Sequence, residues 1–80
     1  MQKNAPDIAE CITKNLYEYF NDLNGEEPKN VYEMVMVQVE KPLLQHVLEK
    51  CGGNQCKAAE ILGMNRNTLR KKLLQHDLLS

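Results

Sequence analysis

The chain has 80 residues, 42% hydrophobic and 26% charged, a globular balance in a length that excludes a second domain. Ten basic and eleven acidic side chains leave a net charge of −1, so bulk charge names no partner. The distribution is more informative: residues 1–50 hold five Lys and nine Asp or Glu, residues 51–80 five Lys or Arg and two acids, an acidic front before a basic tail suited to a polyanion.

Punctuation divides the chain into four predicted helices. The first spans about 8–23, where Ile8, Cys11, Ile12, Leu16, Tyr19, Phe20 and Leu23 recur at three and four and form one apolar stripe, with Cys11 expected in the core. Asp7 with Glu10 offers a capping box, Asn4 before Pro6 is a competing cap, and Asn24-Gly25 supplies the stop. The second opens at Asn30, with Glu33 three residues later, and runs to about Cys51. Its start, VYEMVMVQV, alternates like a strand, but nothing strand-like elsewhere could pair with it, so helix is the better reading. Pro42 predicts a kink, because it cannot donate to the Gln38 carbonyl. As a helix this segment is apolar on two sides, one for its own chain and one for a partner.

Gly52-Gly53 ends the second helix and Asn54 caps a third, Gln55 to Leu62, in which Ala58, Ala59, Ile61 and Leu62 supply packing. Gly63-Met64 turns the chain, and Asn65 caps the fourth helix, Arg66 to about Gln75. Leu69 and Leu73 face inward there, with Arg66, Asn67, Arg70 and Lys71 outward. The third and fourth helices have the anatomy of a helix-turn-helix: a small residue where two helices cross, a glycine at the sharp turn, and a basic second helix able to enter a DNA major groove. Arg can bond a guanine edge at two atoms, Asn can pair with adenine, and Lys holds phosphate without reading sequence. The helix N-termini at Asn54 and Asn65 offer backbone N–H groups to phosphate oxygens. The bland alternative is a solvated face; no acidic residue partners these cations at helical spacing within the fourth helix, which argues against it.

The run VYEMVMVQVEKPLLQHVLEKCGGNQCKAAEILGMNRNTLRKKL resembles the bacterial Fis family of DNA-bending proteins, the factors for inversion stimulation. The helix-turn-helix alone is also similar to the C-terminal domain of NtrC-type activators; the proline-containing VYEMVMVQVEKPLL points to the free-standing Fis type. The likeness spans residues 8–79. It implies an all-α chain in an intertwined homodimer, with dimerisation helices over about 8–51 forming a four-helix core and a helix-turn-helix over about 54–76 projecting from each subunit. Carried over by position, Asn65 and Arg66 resemble the base-edge contacts. Thr68, Arg70, Lys71 and Lys72 resemble the phosphate-binding set, Asn54 and Lys57 the contacts from the preceding helix, and Asn67 completes the exposed face. Ile12, Leu16, Tyr19, Phe20, Val35, Val39, Leu43 and Val47 are the expected subunit interface. In that family the two recognition helices sit closer than one DNA turn, so binding bends the duplex and sequence is read largely through shape. Cys56, Gly52 and Leu74-Gln75 replace Thr, Arg and Lys-Lys of the best-known member, so wrapping of outer DNA is not carried over. Only seven residues precede Ile8, with no counterpart of the family's β-hairpin arm, so recombinase contact is not expected.

Other chemistries are poorly served. No apolar run approaches the roughly 20 residues of a membrane span, and the N-terminus lacks a secretory signal, so a cytoplasmic, nucleoid location is expected. Three Cys, an odd number, suggest free thiols. Cys51, Cys56, His46 and His76 have too loose a spacing for zinc, and no metal or cofactor is expected. His46 and His76 read as surface or packing residues, Met34, Met36 and Met64 as core fillers, and Tyr17, Tyr19 and Tyr32 as part of the dimerisation half. No nucleophile set, phosphate loop or paired carboxylate suggests an enzyme. A chain this short is marginal as a monomer, so self-association is expected. Two rivals remain. A detached output domain of an NtrC-type activator is disfavoured by Met1 and the lack of a linker, and a helical dimerisation module would have no DNA affinity.

Overall fold

The computed structural model describes residues 7–79, in which four helices follow one another: α1 (Ile8–Asn21), α2 (Val31–Lys50), α3 (Gln55–Leu62) and α4 (Arg66–Gln75). No strand occurs among the described residues. The alternating run 31–39 is helical, because a lone strand would leave its backbone groups without a ladder. Pro42 lies inside α2, and the helix continues on both sides of it.

Helix ends explain where prediction and structure part. The side chain of Asp7 accepts the Glu10 N–H at 3.4 Å and starts α1; the competing cap, Asn4, lies outside the described residues. At its other end α1 stops at Asn21; the Asp22 N–H still bonds the Glu18 and Tyr19 carbonyls, and the backbone then turns left-handed at Asn24 and Gly25. Asn30 is not the expected capping-box residue. Its φ of +52° is left-handed, unlike the extended Asn54 and Asn65, although its carbonyl accepts the Met34 N–H as that of a residue ahead of a helix does.

The helices divide into two units, one ending at Val35 and one beginning at Met36. In the first, α1 buries none of its residues. Ile12, Leu16 and Tyr19 are half-buried, Phe20 is exposed, and the Tyr19 and Phe20 rings meet edge to face at 5.4 Å. Cys11, expected in the core, is exposed, since this unit holds too little apolar surface to enclose the whole stripe.

In the second unit Leu44 of α2, Ala58 and Ala59 of α3, and Leu69 and Leu73 of α4 form a core, none more than 4% exposed. The two buried residues of α3 are adjacent alanines, which present only methyl groups to the core. Val47, Leu48, Cys51, Leu62, Met64, Leu78 and Leu79 close around the core. Val47, assigned by sequence to a subunit interface, therefore packs within its own chain. Ile61 is 60% exposed and Met36 is also exposed, so neither fills the core as expected.

Candidate nucleic-acid interface

The geometry of the α3–turn–α4 segment is set by its caps. Asn54 is extended, and its Oδ1 accepts the Lys57 N–H at 3.1 Å, which opens α3. Gly63 ends it at φ +74°, ψ 33°, a left-handed conformation that strains any side chain. The Met64 N–H then bonds the Ala59 carbonyl at 3.0 Å and the Gly63 N–H bonds the Glu60 carbonyl at 3.1 Å, satisfying two of the last carbonyls of α3. Two residues later Asn65 is extended again, and its Oδ1 accepts the Asn67 N–H at 2.7 Å. The three-residue turn Gly63-Met64-Asn65 is thereby fixed at both ends, and Met64 pins it to the core.

This frame leaves Asn54, Lys57, Asn65, Arg66, Asn67, Thr68, Arg70 and Lys71 exposed. Between residues 54 and 76 there are five cationic side chains and one acidic one, Glu60. The first turns of α3 and α4 come together where Arg66 Nη1 donates to Cys56 Sγ at 3.4 Å. Thiol sulfur is a weak acceptor, so this contact orients the guanidinium without removing it from solvent. Asn65 uses its carbonyl oxygen as a cap, which leaves Nδ2 as its outward donor. The arrangement presents cationic heads and two capped helix N-termini on the same helix pair. It is chemically suited to anionic oxygens and to acceptor groups on a planar edge.

Lys72 departs from expectation. Positions 69, 72, 73 and 76 fall on one helical stripe, and that stripe faces α2. Lys72 Nζ lies 2.9 Å from Glu40 Oε2, with side-chain exposures of 33% and 21%. His76, 8% exposed, donates from Nε2 to Glu40 Oε1 at 2.7 Å. A carboxylate only accepts, so the proton must sit on Nε2. The hydrogen bond from His76, followed by that from Lys72, holds the Glu40 carboxyl below the ordinary carboxylate range. Lys72, expected among the outward phosphate contacts, is thus paired with Glu40 within the chain. Sequence reasoning missed Glu40 altogether. The stripe that puts Lys72 in line with Leu69 and Leu73 was the available signal, but the partner is 32 positions away.

Among the described residues, no group of three or more His, Cys, Asp or Glu is placed to hold a metal ion, and no helix is long and apolar enough to cross a membrane.

Comparison with known proteins adds to this geometry. The profile described as bacterial regulatory protein, Fis family, matches residues 35–76, most of α2 and the whole α3–turn–α4 segment. A Fis-like DNA-binding protein of Neisseria meningitidis is 65% identical over 79 residues, covering 99% of this chain and 100% of its own length. A Fis-like DNA-binding protein of Ralstonia nicotianae is 56% identical over 72 residues, 90% of this chain and 94% of that one. DNA-binding protein Fis of Aliivibrio fischeri is 41% identical over 71 residues, 89% of this chain and 72% of that one.

Proposed function

The chain belongs to the Fis family of bacterial regulatory proteins, and from that premise we propose that it binds double-stranded DNA as a homodimer, bends it, and serves transcription regulation and nucleoid organisation in the cytoplasm. The observation that carries the reading is the exposed polar face of a helix-turn-helix, whose charged groups are cationic apart from Glu60 and whose two capped N-termini lie on the surface. In this reading Asn65 and Arg66 meet base edges, and Asn67 extends the same exposed face. Asn54, Lys57, Thr68, Arg70 and Lys71 hold phosphates and set the register.

The homodimer is supported by where apolar surface is left open. Of the nine large hydrophobic side chains exposed among the described residues, seven (Ile8, Tyr17, Phe20, Tyr32, Met36, Val37 and Leu43) precede the helix-turn-helix, and two, Ile61 and Leu74, lie within it. A helix of 14 residues with nothing buried, such as α1, is marginal in water by itself. A second copy covering Ile12, Leu16, Tyr19, Phe20, Val35, Val39 and Leu43 would supply the missing burial, and two-fold symmetry would present two α4 helices to one duplex. Bending follows from the resemblance: paired recognition helices set closer than a DNA turn fit only a curved duplex, and sequence preference then rests mainly on deformability.

The test is a mobility-shift assay on random-sequence duplex at low salt, followed by circularly permuted fragments. A shift together with mobility that depends on the position of the site is the expected result. No shift at micromolar protein would reduce the chain to a helical dimerisation module.

A further inference from the structure

We propose that Glu40 withholds Lys72 from DNA, so that the phosphate-binding set of α4 stops at Lys71 and the last turn of the recognition helix is a clamp to α2. The inference rests on the DNA-binding reading and narrows it. Lys72 shares the inward stripe of Leu69, Leu73 and His76, whereas Asn67, Arg70 and Lys71 lie on the opposite side of α4. Its ammonium sits 2.9 Å from Glu40 Oε2.

An ordinary surface ion pair would give way to a phosphate at little cost. This one is anchored. The other oxygen of the same carboxylate accepts from His76 Nε2 at 2.7 Å, and His76 is buried. Glu40 cannot swing out after Lys72 without stranding a buried imidazole N–H. If Lys72 leaves alone, the carboxylate remains close to any approaching phosphate and repels it. The positive charge of Lys72 is therefore neutralised within the fold and releases no counterion from DNA. Glu40 is a positioning residue in this scheme. It sits on α2 and fixes Lys72 of α4 and the C-cap His76 one turn later, which sets how the recognition helix is held on the helix that precedes the motif.

Salt dependence of affinity counts phosphate contacts and discriminates this role from a merely structural one. Binding to one fixed duplex is followed by fluorescence anisotropy over a salt series for the wild type, Lys71→Met, Lys72→Met, Glu40→Gln and the Glu40→Gln/Lys72→Met double variant. Lys71→Met should make the slope of log K against log salt shallower by about two for a dimer, and Lys72→Met should leave it unchanged. Glu40→Gln keeps an acceptor for His76 but no counter-charge for Lys72, so the slope should steepen by about two and the double variant should return to the wild-type value. Lys72→Met retains the Glu40–His76 bond, so it carries the test if Glu40→Gln fails to fold by circular dichroism. A slope lowered by Lys72→Met as much as by Lys71→Met would overturn the inference while leaving DNA binding intact. A wild type that does not bind would overturn both.

Discussion

Arg66 and Lys71 stand five residues apart on α4 and are expected to do different work. Arg66 lies in the first turn, steadied by Cys56 Sγ, where a side chain can reach a base edge. Arg66→Ala should cost about 1–3 kcal/mol at a preferred site and flatten its preference for guanine. Lys71→Ala should weaken all duplexes alike. Affinities for a guanine-containing site and its substituted variant check both; discrimination retained by Arg66→Ala would make its guanidinium a phosphate clamp. Glu40 carries a pH signature of its own. Its carboxyl titrates lower in the folded protein than in the unfolded chain, so its contribution is complete above the ordinary carboxylate pKa, 4.5, and is lost as pH falls below that value. The stability difference between wild type and Glu40→Gln, from urea midpoints, should shrink as the solution is acidified below 4.5. At this scale the sequence was readable where a residue acts on its neighbours. Asn54 and Asn65 cap the helices expected of them because the groups involved are two or three positions away. Cys11 and Ile61 were misplaced, and the Glu40 partner of Lys72 was missed, because each depends on what lies opposite, which spacing along one helix does not report.

The elements of the second unit follow local rules closely, and α3 and α4 begin and end where their caps and glycines put them. Gly63 is the sharpest case. A Cβ there would meet nothing within 4 Å, so the cost of Gly63→Ala comes from backbone strain at φ +74° alone. That cost should be about 1 kcal/mol, read from denaturant midpoints. Leu73→Ala removes a side chain that is fully buried between α2, α3 and α4 and should cost about 2–5 kcal/mol. Asn30 was the exception among the punctuation residues. Asn tolerates left-handed backbone as readily as it caps, and the sequence offers no sign of which it will choose. The strand-like alternation of 31–39 was resolved only by asking what a strand there could pair with, an argument about the rest of the chain rather than about those nine residues.

For the molecule as a whole, the two units place their apolar surface differently. The second encloses a core of its own, whereas α1 in the first leaves its stripe open. If a second copy covers that stripe, folding and association are one event, and the thermal midpoint should rise with protein concentration. A midpoint independent of concentration, with a sedimentation mass near 9.2 kDa, would end the dimer. The DNA-binding reading and the dimer meet in one number. With Lys72 held by Glu40, each subunit offers Lys57, Arg70 and Lys71 to phosphates, and two subunits neutralise about six. Log K for duplex DNA plotted against log salt should therefore fall with a slope near −5, although the protein itself is net acidic. A slope shallower than about −2 would mean that the cations of α3 and α4 are a solvated face and that the chain is not built to hold DNA.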